Sequence, residues 1–193
     1  METPERAMRR LFVAVPLPEE LRPFVATAQT LLPKSGGIRL LEPAQWHVTL
    51  AFIGQVDAQR AEAARAVVEA VPVESGGEVM VDGFLLLPGP RRARVVALEL
   101  EDSSRVLQRL FETVAIGLET SGVMQREKRP FHAHVTLARL RVPGPVQPTS
   151  DCGQARFRVE SVCLYESQLR REGAQYSVIA RKDLKAYEEP EKA

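Results

Sequence analysis

The sequence predicts an α+β protein of two pseudo-symmetric lobes, each an antiparallel sheet carrying helices, with a cleft between them. Three observations predict it. The phrase His47-Val48-Thr49-Leu50 recurs letter for letter as His134-Val135-Thr136-Leu137, and internal repetition points to two similar halves that face each other. Short β-branched, apolar runs are mixed with amphipathic stretches of helical period, without the strict strand–helix–strand rhythm of a doubly wound parallel sheet. A chain of 193 residues with 45% hydrophobic and 26% charged content is of ordinary globular composition, long enough for one domain or two small lobes. Residues 1–193 are therefore read as a single bilobal domain.

In order, residues 10–15 read as a strand closed by Pro16. Pro18, followed by Glu19 and Glu20, opens a helix that runs to Leu32 and is broken by Pro33 and Gly36-Gly37. Residues 39–42 lead into a strand over 47–53, which Gly54 ends. Asp57 caps an Ala-rich amphipathic helix over 58–71. Residues 79–87 and 94–100 are strands around the turn Pro88-Gly89-Pro90. A third helix, capped near Asp102 or Ser103, runs to Glu119 with Leu107, Leu110, Phe111 and Val114 at helical spacing, and Ser121-Gly122 ends it. Residues 125–130 form a basic loop before the second phrase, and Pro143-Gly144-Pro145 with Pro148 a loop after it. Residues 156–165 and 176–181 close the chain as two strands, joined by a polar turn at Arg171-Glu172-Gly173, and the tail beyond Asp183 reads as frayed.

Alternate residues of a strand share a face. His47 and Thr49 therefore point one way and Val48 and Leu50 the other, and the second phrase repeats this arrangement. Each strand presents an imidazole beside a hydroxyl, anchored from behind by aliphatic side chains. A lone strand histidine is more plainly structural. Here two of only three histidines occupy the duplicated phrase, and two facing imidazoles make an acid–base pair.

Bulk properties narrow the classes. There is no run of apolar residues long enough for a membrane span, and residues 1–10 lack the apolar stretch of a signal peptide, so the cytoplasm is the expected compartment. Cys152 and Cys163 do not form a CxxC, so neither a disulfide framework nor a thiol-rich zinc site is indicated. A net charge of +1 is not that of a nonspecific polyanion binder. The cations are 21 Arg and 5 Lys; Arg suits phosphate geometry, but compositional bias explains the ratio equally well.

The ordered set of motifs resembles the 2H phosphoesterase superfamily. Its parts are the first strand Arg10-Leu11-Phe12-Val13-Ala14-Val15-Pro16, the first motif Trp46-His47-Val48-Thr49-Leu50-Ala51-Phe52-Ile53-Gly54, the second motif running from Arg129-Pro130-Phe131 to His134-Val135-Thr136-Leu137-Ala138-Arg139, and Leu164-Tyr165-Glu166-Ser167 near the end. Within the superfamily the chain is similar to the RNA 2′,3′-cyclic phosphodiesterase branch, also called 2′-5′ RNA ligase. The resemblance covers residues 8–182. It departs at Ala133, where the family commonly has Pro before the second His.

The resemblance implies hydrolysis of RNA 2′,3′-cyclic phosphate ends to 2′-phosphate ends, tRNA fragments being one candidate substrate. It implies His47 as proton donor and His134 as proton acceptor, although the two phrases are equivalent on paper. Thr49, Thr136 and Arg139 are implied phosphate ligands. Regular alternation, however, sets Arg139 opposite His134 and Phe52 opposite His47 unless the strands are irregular. Phe52, His132 and Arg129 are candidate RNA contacts; His132 shares strand parity with His134. The expected enzyme is a monomer that uses no cofactor and no metal, and the same chemistry run backwards is ATP-independent 2′-5′ ligation. Three alternatives stay open: a cyclic phosphodiesterase acting on small nucleotides such as ADP-ribose cyclic phosphate, a non-catalytic RNA-end binding module, and a metal site made by His47, His132 and His134.

Overall fold

The computed structural model describes residues 8–34, 37–170 and 173–186. Its elements are β1 (Arg9–Pro16), α1 (Arg22–Thr30), β2 (Ile38–Leu40), β3 (His47–Val56), α2 (Ala58–Glu69), β4 (Gly77–Leu87), β5 (Ala93–Glu101), α3 (Val106–Thr120), β6 (His134–Gly144), β7 (Ala155–Val159), β8 (Ser161–Arg170) and β9 (Gly173–Asp183). The fold is α+β: strand neighbours run β7–β4–β5–β6–β3–β1–β8–β9, β2 adds to β6, and these ladders are antiparallel.

The two halves of the ladder meet at one registered pair, Val48 of β3 opposite Val135 of β6. Beyond it β6 takes β2 as its neighbour, from Ala138 opposite Leu40 to Leu140 opposite Ile38. Strands β3 and β6 thus touch at the start of each duplicated phrase and are not laddered further along.

The apolar face of each phrase lies in the core, with Val48, Val135 and Leu137 fully buried and Leu50 nearly so. The helices cover that core. Leu107, Leu110, Val114 and Leu118 of α3 and Ala61, Ala64 and Val68 of α2 are buried, at the spacing that a 3.6-residue period requires. Gly117 lets the two helices approach closely, since a Cβ there would stand 2.7 Å from Val67 Cγ1.

Several boundaries differ from the sequence expectation. A 3-10 turn over Glu19–Leu21 precedes α1. Gly54 does not end β3; it sits at φ +81° inside the strand, which continues to Val56. Arg105, at φ 56°, immediately precedes α3, while the Asp102 carboxylate still accepts from the Gln108 N–H at 2.9 Å. Strand β6 runs through Pro143 to Gly144, where a loop was expected. The segment read as one strand over 156–165 is two, β7 and β8, separated at Glu160. Leu184 is buried and Lys185 N–H donates to the Val73 carbonyl at 2.7 Å, so the chain just beyond Asp183 is anchored rather than frayed. Gly36 and the Arg171-Glu172 part of the expected turn lie outside the described residues.

Candidate active site

At the junction of β3 and β6 a cleft of about 580 Å³ opens. His47, Thr49, His134, Thr136, Arg139 and Phe52 all line it. The presence of Arg139 and Phe52 follows from a backbone irregularity at the same position of each phrase. Between β5 and β6 the register jumps from Ala97 opposite Thr136 to Val96 opposite Ala138, leaving Leu137 as an extra residue. Between β1 and β3 it jumps from Ala14 opposite Thr49 to Val13 opposite Ala51, leaving Leu50 extra. A one-residue slip reverses the facing of every later side chain. Arg139 therefore joins His134 and Thr136, and Phe52 joins His47 and Thr49, although strict alternation places both on the far side.

The bulge at Leu137 is held by its neighbours. The Leu137 carbonyl accepts from the Leu41 N–H at 2.8 Å and from Gln29 Nε2 at 2.9 Å, and the same Gln29 amide nitrogen donates to the Leu41 carbonyl at 2.8 Å. One side chain of α1 thus fixes the kink that aims Arg139.

Both imidazoles are tethered to the backbone two residues upstream. His134 Nδ1 lies 2.7 Å from the His132 carbonyl oxygen, so the neutral ring carries its proton there and leaves Nε2 as the basic nitrogen. His47 makes the corresponding hydrogen bond to the Gln45 carbonyl. Aromatic rings enclose His47: Phe12 at 4.9 Å, Tyr176 edge-on at 5.5 Å and Tyr165 at 6.2 Å between centroids. Burial pulls the His47 pKa down to about 4, with the charges of His134 and Arg139 adding to the effect against the Gln45 hydrogen bond. Burial also lowers the pKa of His134, with Arg139 and His132 contributing in the same direction. Without an anion in the cleft both rings are therefore neutral near pH 7.

No carboxylate lines the cleft among the described residues. Arg10, at the start of β1, adds a second guanidinium, and Gln45, Ser167 and Tyr176 complete much of the polar lining. Sequence reasoning gave these four no role. Arg10 had a usable signal, since it alternates with Phe12 on β1, the strand beside β3. Gln45 is tied across the cleft wall by its Nε2 donating to the Ala174 carbonyl at 2.8 Å. His132 and Arg129 are not in this cleft. Strand β6 begins at His134, so the parity argument does not reach His132; its carbonyl meets His134 Nδ1, and the residue lines an adjoining cavity with Arg129. Arg129 is ion-paired with Glu127 at 2.7 Å. Among the described residues no group of three or more His, Cys, Asp or Glu side chains is placed to hold a metal ion.

Paired imidazoles, paired hydroxyls and guanidinium charge in a cleft with no carboxylate among the described residues suit a phosphoester, and the comparisons with known proteins agree. The LigT-like phosphoesterase family model matches residues 14–97. The RNA 2′,3′-cyclic phosphodiesterase of Bacillus subtilis is 30% identical over 164 residues, covering 83% of this chain and 88% of the relative. That of Thermus thermophilus is 29% identical over 181 residues, covering 91% and 90%. Among solved structures, TT0787 of Thermus thermophilus superposes with a TM-score of 0.81 at 28% identity, covering 93% of this chain and all of that one. Apo Escherichia coli LigT superposes at 0.77 and 26% identity, covering 92% and 98%. The chain belongs to the LigT-like phosphoesterases of the 2H superfamily and is a phosphodiesterase.

Proposed function

We propose that this enzyme hydrolyses 2′,3′-cyclic phosphate ends of RNA to 2′-phosphate ends, with His47 as proton donor and His134 as proton acceptor and without a metal. The observation that carries the reading is the pair of backbone-tethered histidines, each beside a threonine, on two strands that meet at Val48 and Val135. Attack and departure at phosphorus are roughly in line, so acid and base belong on opposite sides of it. His134 Nε2 takes the proton of water as the water oxygen bonds to phosphorus. The P–O3′ bond breaks, and His47 protonates the departing O3′. Thr49 and Thr136 donate to the nonbridging oxygens, and Arg139 with Arg10 balances their charge.

The neutral state of His47 in the open cleft fits this cycle. A bound phosphodiester anion favours the imidazolium and raises the pKa of His47 toward working pH, so the acid is charged when substrate arrives. The relatives' names point to the same RNA ends, and Escherichia coli LigT has been crystallised with 3′-AMP and with phosphate. The test is a short RNA ending in a 2′,3′-cyclic phosphate, compared in EDTA with a cyclic mononucleotide. A 2′-phosphate product with preference for the RNA supports the reading. A 3′-phosphate product, loss of turnover in EDTA, or preference for the mononucleotide counts against the leaving group, the metal-free chemistry or the RNA specificity, respectively.

A further inference from the structure

Arg39 and Arg139 stand directly opposite each other where β2 pairs with β6. The register is regular on both sides of them, with Ile38 opposite Leu140 and Leu40 opposite Ala138, so the two arginines share one face of the sheet. That is the face to which the bulge at Leu137 turns Arg139. Arg139 lines the cleft, whereas Arg39 lies outside its lining and extends to its rim. A Cβ at Gly173, the first residue of β9, would collide with Arg39 Nη2, and the next residue, Ala174, belongs to the cleft wall. Gly173, at φ 140°, thus leaves the guanidinium bare backbone to lie against. Gln45 holds that backbone through its hydrogen bond to the Ala174 carbonyl.

We infer that Arg39 is a specificity-determining residue that holds the phosphodiester on the 5′ side of the terminal nucleotide, one nucleotide away from the cyclic phosphate. The inference rests on the reading of the catalytic cleft given above. Like charges directly opposite each other on a sheet repel, and among the described residues no carboxylate forms an ion pair with either arginine. Both side chains are exposed. A ligand with two negative charges in sequence offsets that repulsion, and an RNA end supplies them. The cyclic phosphate lies between the histidines, beside Arg139. The 5′ oxygen of the same nucleotide carries the next phosphate toward the rim, where the Arg39 guanidinium is the next positive charge on that face. Its fork matches two phosphate oxygens. A contact of this kind reads the backbone and not the base. A cyclic mononucleotide lacks this phosphate, so Arg39 separates an RNA end from a free nucleotide without touching the reacting atoms.

The experiment uses the full chain and three substrates: adenosine 2′,3′-cyclic phosphate, the dinucleotide adenylyl-adenosine 2′,3′-cyclic phosphate, and the same dinucleotide with a neutral methylphosphonate linkage. It reads the ratio of kcat/KM on the dinucleotide to kcat/KM on the mononucleotide. Arg39→Gln should lower that ratio about ten-fold, the usual worth of a charged hydrogen bond, and Arg39→Lys should recover part of the loss. Hydrolysis of the mononucleotide by each variant reports that it is folded. The neutral linkage should cost the wild type about ten-fold and cost Arg39→Gln nothing further, because the arginine and the charge it reads form one interaction. A wild-type ratio in Arg39→Gln, or a methylphosphonate penalty as large in Arg39→Gln as in the wild type, would overturn the inference. A wild type that hydrolyses no cyclic phosphate, or that favours the mononucleotide, would instead overturn the reading of the cleft or its RNA specificity, and this inference with it.

Discussion

Val48 and Val135 stand directly opposite each other where β3 meets β6. Carrying that antiparallel register one residue either way sets His47 across from Thr136 and Thr49 across from His134. Both imidazoles and both hydroxyls therefore flank one registered pair and line the same cleft. The two valines fill the core beneath the site, and the symmetry of the proposed catalytic set descends from their contact.

Arg139 reaches the cleft only because Leu137 is bulged. Arg139→Ala should lower kcat/KM on a cyclic-phosphate RNA by about ten- to a hundred-fold, the usual worth of a charged hydrogen bond. Arg139→Lys should recover part of the loss, because the charge returns without the fork. Steady-state kinetics with both variants check this, and an unchanged kcat/KM in Arg139→Ala would remove Arg139 from phosphate binding.

Gln29 should act on the same step from a distance. Its amide nitrogen serves the carbonyls of Leu41 and Leu137. Gln29→Ala should cost about 1–2 kcal/mol in urea unfolding, for carbonyls left short of a donor. It should also raise KM more than it lowers kcat, because the bulge that aims Arg139 loses a support. A stability loss with unchanged KM would make Gln29 structural only.

The depressed pKa of His47 predicts a direction for stability. Between about 4 and the ordinary 6.5 the unfolded chain binds a proton at this residue that the folded chain does not. Stability is therefore fully present above 6.5 and is lost as pH falls through that window toward 4. Urea unfolding at pH values on either side of it should show His47→Gln losing less stability on acidification than the wild type. Histidine proton NMR should show the His47 titration moving upward when inorganic phosphate is added, because an anion favours the imidazolium. A midpoint unmoved by saturating phosphate would contradict the proposed charging of the acid.

Much of this was legible in the sequence because it is local. The duplicated phrase marks its own strands, Asp57 caps α2 through the Arg60 N–H as its type suggests, and the apolar spacing of α3 names its buried face. What was not legible depends on partners distant in the chain. The bulges at Leu50 and Leu137 are defined only against β1 and β5, so neither phrase reveals that Phe52 and Arg139 change sides. Short β2 exists because β6 offers it an edge. The division of β7 from β8 follows from pairing, since β7 ladders with β4 and β8 with β1 and β9. Tyr176 enters the cleft through strand order, which no local pattern records.

Two histidines are proposed to divide the acid and base work. The most direct measurement of that division is the rate of hydrolysis of a cyclic-phosphate RNA by the wild type, His47→Ala and His134→Ala, with circular dichroism confirming that each variant is folded. The rate should fall by about 100-fold or more in each variant, as for a lost general acid or base. A folded variant of either kind that retains the wild-type rate would contradict it.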